Sequence, residues 1–176
     1  MRAEVILIGL LAISPPAWSE RADRDKPVNI EADSLKVDDA RKIAVYEGHV
    51  VLTQGTLKIT ADRVEVRQDD QGFNTGDALG KPAYFRQRMD AKAGGKPDAG
   101  GEYTEGWAER IEYDGRGDKV RLVGQARLKR GEEELRGNLI TYDGPSGYYQ
   151  AQGSIDGTPG RVRAVIRPKN NAPAKP

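Results

Sequence analysis

The side chains that most often carry chemistry are scarce in this sequence. Its 176 residues contain one histidine, His49, and no cysteine. A zinc site of the usual ligand types needs several His or Cys groups, so any metal would have to be held by carboxylates alone. No metal site and no cofactor are expected. His49 falls on the outward phase of an alternating segment, beside Glu47 and Val51, the position of a surface histidine. Carboxylates are plentiful but scattered, and none stands out as one of a glycosidase pair, whose separation is spatial. Ser14, Ser19, Ser34, Ser146 and Ser154 sit in no nucleophile motif. Arg116-Gly117-Asp118 spells an integrin-type tripeptide, but within Asp114-Gly115-Arg116-Gly117-Asp118 it reads as a hairpin turn. An enzyme is not expected.

The polar residues that do recur belong to a repeated frame. Ala32-Asp33-Ser34-Leu35-Lys36-Val37 is a small residue, a polar one, any residue, an aliphatic, any residue and a large apolar one. The pattern returns as Ala61-Asp62-Arg63-Val64-Glu65-Val66, as Ala108-Glu109-Arg110-Ile111-Glu112-Tyr113 and, worn down, as Gly137-Asn138-Leu139-Ile140-Thr141-Tyr142. A glycine (Gly48, Gly80, Gly124, Gly153) follows each start after 16 residues in copies one, three and four, and after 19 in copy two. Copies one and two start 29 residues apart, as do copies three and four, and the two pairs align without a gap at an offset of 76. Such self-similarity indicates a repeated β structure. In it, Asp33, Asp62, Glu109 and Asn138 are expected to cap backbone groups where the strand ladder breaks.

Strands must carry this frame. Val28, Ile30 and Ala32 alternate, then the phase slips by one to Leu35 and Val37, which marks a bulge or corner at the Ala-Asp pair. A polar turn over Asp38–Lys42 leads to Ala44, Tyr46, Gly48, Val50 and Leu52 at period two. Gln54-Gly55 turns the chain, Leu57, Ile59 and Ala61 enter the second corner, and Val64 and Val66 leave it. The offset copy repeats this with Val120, Leu122, Gly124, Ala126 and Leu128 inward. Gly131 turns, Leu135 and Gly137 enter a corner, and Ile140 and Tyr142 leave it. Alternation with one polar face means a half-buried antiparallel sheet. No sustained helical period survives past residue 19.

The first residues read differently. After Arg2, the apolar run Val5–Ile13 is too short to span a bilayer, which takes about 20 residues. Ala17-Trp18-Ser19 places small residues at a cleavage site, so residues 1–19 are expected to be a secretory signal peptide cut after Ser19. Residues 20–27 form a flexible leader, 28–167 the single domain, 86–106 a mobile insert, and 168–176 a disordered tail. An exported chain without cysteine suits the periplasm of a two-membrane bacterium. The formal net charge is +1 with both signs interspersed, which argues against nucleic acid as a partner.

Stacked cornered rungs make an all-β fold of two facing sheets joined along one edge, a sandwich or jelly roll. Inward residues are mostly aliphatic or small, with glycines at mid-rung. That permits either a tightly packed interior or an open apolar groove. A stack also leaves a free strand at each end, Val28–Val37 and Arg161–Arg167. Two readings stand for these edges. They accept a strand from another chain, with Val28 and Ile30 on one edge and Val162, Ala164 and Ile166 on the other. Alternatively, Arg161, Arg163 and Arg167 are gatekeepers against such association.

Gly55-Thr56-Leu57-Lys58-Ile59-Thr60-Ala61-Asp62-Arg63-Val64, Gly80-Lys81-Pro82-Ala83-Tyr84-Phe85 and the Gly137–Tyr142 copy resemble the OstA-like domain family. The segment from about Val28 to Ile166 is similar to the free periplasmic member of its lipopolysaccharide-transport branch. The resemblance implies a V-shaped, incomplete β-jelly roll whose apolar groove holds the acyl chains of lipopolysaccharide. It implies that copies stack head to tail between the two membranes. The stack would meet inner-membrane-anchored and outer-membrane OstA-like proteins of the lipopolysaccharide transport complex. The family's lipid-contacting positions fall on Val28, Ile30, Phe85 and Tyr113. The inward phase adds Leu35, Val37, Tyr46, Val50, Leu52, Leu122 and Leu128 as candidate lipid contacts. Arg63 and Arg127 are candidate neighbours of the lipid's polar groups. Two other classes remain: a structural β-scaffold or polymerising repeat with a filled core and no lipid, and a carbohydrate-handling domain. The latter calls for exposed aromatics in a row, and Tyr148-Tyr149 is the only adjacent pair of tyrosines.

Overall fold

The computed structural model describes residues 26–69, 72–88, 103–117, 119–143, 146, 148–154, 157 and 159–166. The expected signal peptide, most of the leader and the tail lie outside these residues.

Ten strands form among the described residues: β1 (Asn29–Glu31), β2 (Ser34–Asp38), β3 (Ile43–Gln54), β4 (Leu57–Asp69), β5 (Gly72–Arg88), β6 (Tyr103–Asp114), β7 (Lys119–Arg130), β8 (Glu133–Asp143), β9 (Tyr148–Gln152) and β10 (Arg163–Val165). They make one antiparallel sheet in the order β1-β3-β4-β5-β6-β7-β8-β10, with β2 also on β3 and β9 also on β8. Turns fall where the polar stretches require them, and Gly55 and Gly131 take the left-handed conformation (φ 59° and 58°) at equivalent hairpins.

Each pairing of the long strands slips register near its middle, and β4–β5 slips again between Arg67 and Gln68. The middle slips lie between Glu47 and Val50, Thr60 and Arg63, Leu79 and Ala83, Trp107 and Arg110, and Val123 and Ala126. An extra residue on one strand bends and twists it. A line of such bulges across the sheet is therefore a crease, and it divides each strand into two arms. We call the arms paired with β2 and β9 leaf A, and those paired with β1 and β10 leaf B. The buried cluster draws on both, with Val64, Val66, Ile111, Leu122 and Ile140 from leaf A and Val50, Leu52, Ala83, Phe85 and Leu128 from leaf B. The leaves thus face each other across a shared apolar interior, as an incomplete V-shaped jelly roll does. Each fully buried aliphatic side chain contributes roughly 1.5–3 kcal/mol.

Three expectations are corrected. The free end at Val28–Val37 is two strands, because the corner at Ala32-Asp33 sends β1 to leaf B and β2 to leaf A. The other end is likewise shared, with β9 on leaf A and β10 on leaf B. The flanks of the insert expected over 86–106 are strand, since β5 runs to Arg88 and β6 starts at Tyr103; residues 89–102 lie outside the described set.

Candidate functional site

The crease is built by side chains reaching across it. Gly48 and Gly124 have φ near +80°, and each is followed by a residue that is also left-handed, His49 or Gln125. A Cβ on Gly48 would lie 2.2 Å from Asp33 Oδ2, and one on Gly124 2.5 Å from Glu109 Oε2. Each acidic side chain occupies the space the glycine leaves, and grips the next residue. His49 Nδ1 lies 2.8 Å from Asp33 Oδ2, and Gln125 Nε2 donates to Glu109 Oε1 at 2.9 Å. The expected backbone capping by Asp33 and Glu109 is therefore a side-chain bond across the crease. The backbone N–H of Asp33 itself donates to the Gly48 carbonyl at 3.0 Å. The Asp33 carboxylate raises the His49 pKa above its ordinary value, by hydrogen bonding first and then by its charge.

Cross-strand partners join into rows that run the width of the sheet. On the inner face of leaf B one row reads Ile30, Leu52, Ile59, Phe85, Gly106, Leu128, Leu135, Ala164. On the inner face of leaf A the matching rows run from Leu35 to Ala151, and from Val37 to Tyr149. These three rows carry no charged residue from edge to edge. Gly106 has no side chain because Phe85 needs the room: a Cβ there would sit 2.1 Å from the ring.

Val28, Leu52, Leu57, Ile59 and Phe85 from leaf B face Val64, Val66, Ala78, Ile111, Tyr113 and Val120 from leaf A, around a narrow cleft of about 50 Å³. The candidates Val28, Leu52, Phe85 and Tyr113 are thus brought together. Ile30 and Tyr46 pack half-buried against the same cluster. Val50, Leu122 and Leu128 are buried within it, Val50 and Leu122 at 1% and 2% exposure. Leu35 and Val37 are on the inner face but stand open at the edge. Leu57, Ile59, Val64, Ile111 and Val120 also line the cleft. Their inward phase was readable, but only cross-strand register shows that they meet.

A larger depression of about 790 Å³ lies outside the crease, lined by Asp62, Lys81, Glu109, Gln125 and Arg127 with Leu79, Pro82 and Trp107. Its mixed polar lining does not suit an acyl chain. Arg63 and Arg127 sit on outer rows, bonded at 2.8 Å to Glu65 and Glu134. Leaf B's outer face does carry the aromatic neighbours not seen in the sequence. Tyr84 and Trp107 lie 5.2 Å apart across β5 and β6, and Arg127 covers Trp107 at 4.6 Å. These contacts use the ring on which a sugar would stack. Burial, then the hydrogen bond to Glu105, pushes the Tyr84 pKa up to about 12. Among the described residues no three metal-ligating side chains cluster, and no helix is long and apolar enough to cross a membrane.

Comparison with known proteins fits this geometry. The family described as LptA/(LptD N-terminal domain) LPS transport protein matches residues 29–148. The lipopolysaccharide export system protein LptA of Escherichia coli K12 is 38% identical over 140 residues, covering 78% of this chain and 71% of that protein. The export system protein LptH of Pseudomonas aeruginosa is 33% identical over 174 residues, covering 95% of each. The crystal structure of LptH, described as the LptA-homologous periplasmic component of the conserved lipopolysaccharide transport device, superposes with a TM-score of 0.72 at 31% identity. That alignment covers 83% of this chain and 99% of the chain in that crystal structure. A creased antiparallel sheet, an apolar interior between its leaves and these matches together place the chain in the LptA/(LptD N-terminal domain) family of LPS transport proteins.

Proposed function

We propose that the protein is a periplasmic carrier of lipopolysaccharide. Copies would stack head to tail between the inner and outer membranes, and the stack would end on the membrane-anchored OstA-like partners. Residues 1–19 would direct export and be removed. The observation that carries this reading is a set of inner rows that reach both edges of the sheet without a charged residue. Large apolar side chains are exposed at one end (Leu35, Val37) and at the other (Tyr149, Val162, Ile166), where a neighbouring copy would extend the groove.

No bond is made or broken in this scheme. Acyl chains leaving water gain roughly 25 cal/mol per Å² of buried apolar area. A lipid with several chains is then held tightly, and it moves on only by transfer to an equivalent groove. Energy for the first step comes from the inner membrane. Ligand pockets run to about 300–1,000 Å³, far above the roughly 50 Å³ of the cleft, so the leaves part to admit lipid. Sugar and phosphate groups stay outside the groove.

The test is photocrosslinking in living cells. A photoreactive residue replaces Ile30 or Phe85, with Lys58 on the exposed outer face as control. Lipopolysaccharide adducts at both inner sites and none at Lys58 are expected. A folded protein without adducts at either inner site would leave the filled scaffold as the better reading.

A further inference from the structure

The two ends of the stack carry complementary charge within a single row. On the outer face of leaf B, cross-strand partners run Glu31, Val51, Thr60, Tyr84, Trp107, Arg127, Arg136, Arg163. Three arginines stand directly opposite one another at the β10 edge, and a carboxylate stands at the β1 edge. Like charges opposite each other destabilise a sheet. Glu134 accepts hydrogen bonds from both Arg127 and Arg136, which holds its carboxyl below the usual range. Among the described residues Arg163 has no ion-pair partner, and neither has Glu31. With Arg127, Lys129 and Arg136, and with Glu132 and the already engaged Glu134, Arg163 borders an open depression of about 610 Å³.

Leaf A handles a like-charge row differently. Glu65, Asp77 and Glu112 are also consecutive cross-strand partners. There every carboxylate is matched inside the protomer: Glu65 by Arg63 and Arg67, Asp77 by Arg110, and Glu112 by Arg121 and Arg110. The arginine row of leaf B lacks its last acid, and that acid stands at the far end of the same row.

Strand direction allows the two ends to meet. β1 is antiparallel to β3, directions alternate from β3 to β8, and β10 is antiparallel to β8. β1 and β10 therefore run in opposite senses, and a second copy in the same orientation brings its β1 antiparallel to the first copy's β10. We propose that copies join in one register, in which Glu31 of one copy faces Arg163 of the next and Ile30 faces Ala164. The same register sets Val28 beside Ile166, and on leaf A the continued rows set Val37 beside Tyr149. This rests on the head-to-tail reading and adds its register. Joining two β10 edges would instead crowd arginines together.

The test uses the absence of cysteine from the chain. An Ile30→Cys copy is mixed with an Ala164→Cys copy and oxidised; directly opposed positions lie within disulfide reach. A mixed disulfide is expected, and far less from Ile30→Cys with Val162→Cys, two residues out of register. Glu31→Arg and Arg163→Glu should each weaken self-association roughly tenfold. A chain carrying both changes should recover it, because the reversed pair faces itself again, and this recovery excludes simple misfolding. Self-association of the unaltered protein without register-specific crosslinking or recovery would overturn the register and leave head-to-tail stacking intact. No self-association of the unaltered protein would overturn both.

Discussion

The corners at Asp33 and Glu109 are the same sequence device used in two surroundings. Both have a left-handed glycine, an acidic side chain filling its space, and a residue gripped beyond it. At the offset of 76, Leu35 corresponds to Ile111 and Val37 to Tyr113. Yet Ile111 is 3% exposed and Leu35 is 53% exposed. The motif decides that the chain turns and which way its side chains point. Its place in the stack decides whether those side chains find neighbours. Ile111 has β5 and β7 on either side, whereas Leu35 lies on β2, which pairs with β3 alone. The corners also differ in chemistry, since His49 can take up a proton, held there more firmly by Asp33, and Gln125 cannot.

The largest test of this contrast is truncation of the matched aliphatics. Ile111→Ala should cost about 2–5 kcal/mol, as buried large-to-small changes do. Leu35→Ala, half-exposed, should cost under about 1 kcal/mol on the isolated protomer. Urea unfolding midpoints of the two variants measure the difference, and equal costs would contradict an open N-terminal edge. Next come the glycines. Gly124→Ala places a Cβ at positive φ between two paired strands and should cost roughly 1–2 kcal/mol. Gly48→Ala should cost less, because the edge corner carrying Asp33 can shift. A reversed order of melting temperatures would show the edge to be the stiffer corner.

The smallest effect concerns pH. The folded-state pKa of His49 is raised by Asp33, so this pair's contribution is complete below the unfolded imidazole value. It is lost as pH rises through the raised folded one. His49→Gln, which copies the other corner, should flatten a slight fall in melting temperature across that window. Gln125→His should add one. The side chain of His49 is 92% exposed, so solvent keeps both changes small.

Much of the fold was legible because a strand's faces are written locally. The alternation of Ala44, Tyr46, Val50 and Leu52, the phase slip at Ala61-Asp62 and the glycine after each motif foretold strands, creases and inner faces. The partners of Asp33 and Glu109 were less legible. A capping role is the general expectation for an acid at a break, and His49 and Gln125 join it only because the bulge turns them toward it. The row of arginines, the Tyr84–Trp107 pair and the meeting of Leu57 with Ile111 in the cleft were not legible. Their members come from strands far apart in the chain.

Period two along a strand depends only on backbone geometry, so the sequence alone determined which residues look inward and where the chain bends. Which strand lies beside which, and in what register, depends on the whole sheet closing over a shared interior. Only the tertiary structure could therefore decide that Leu35 is open where Ile111 is buried, and that a carboxylate and three arginines occupy opposite ends of one row.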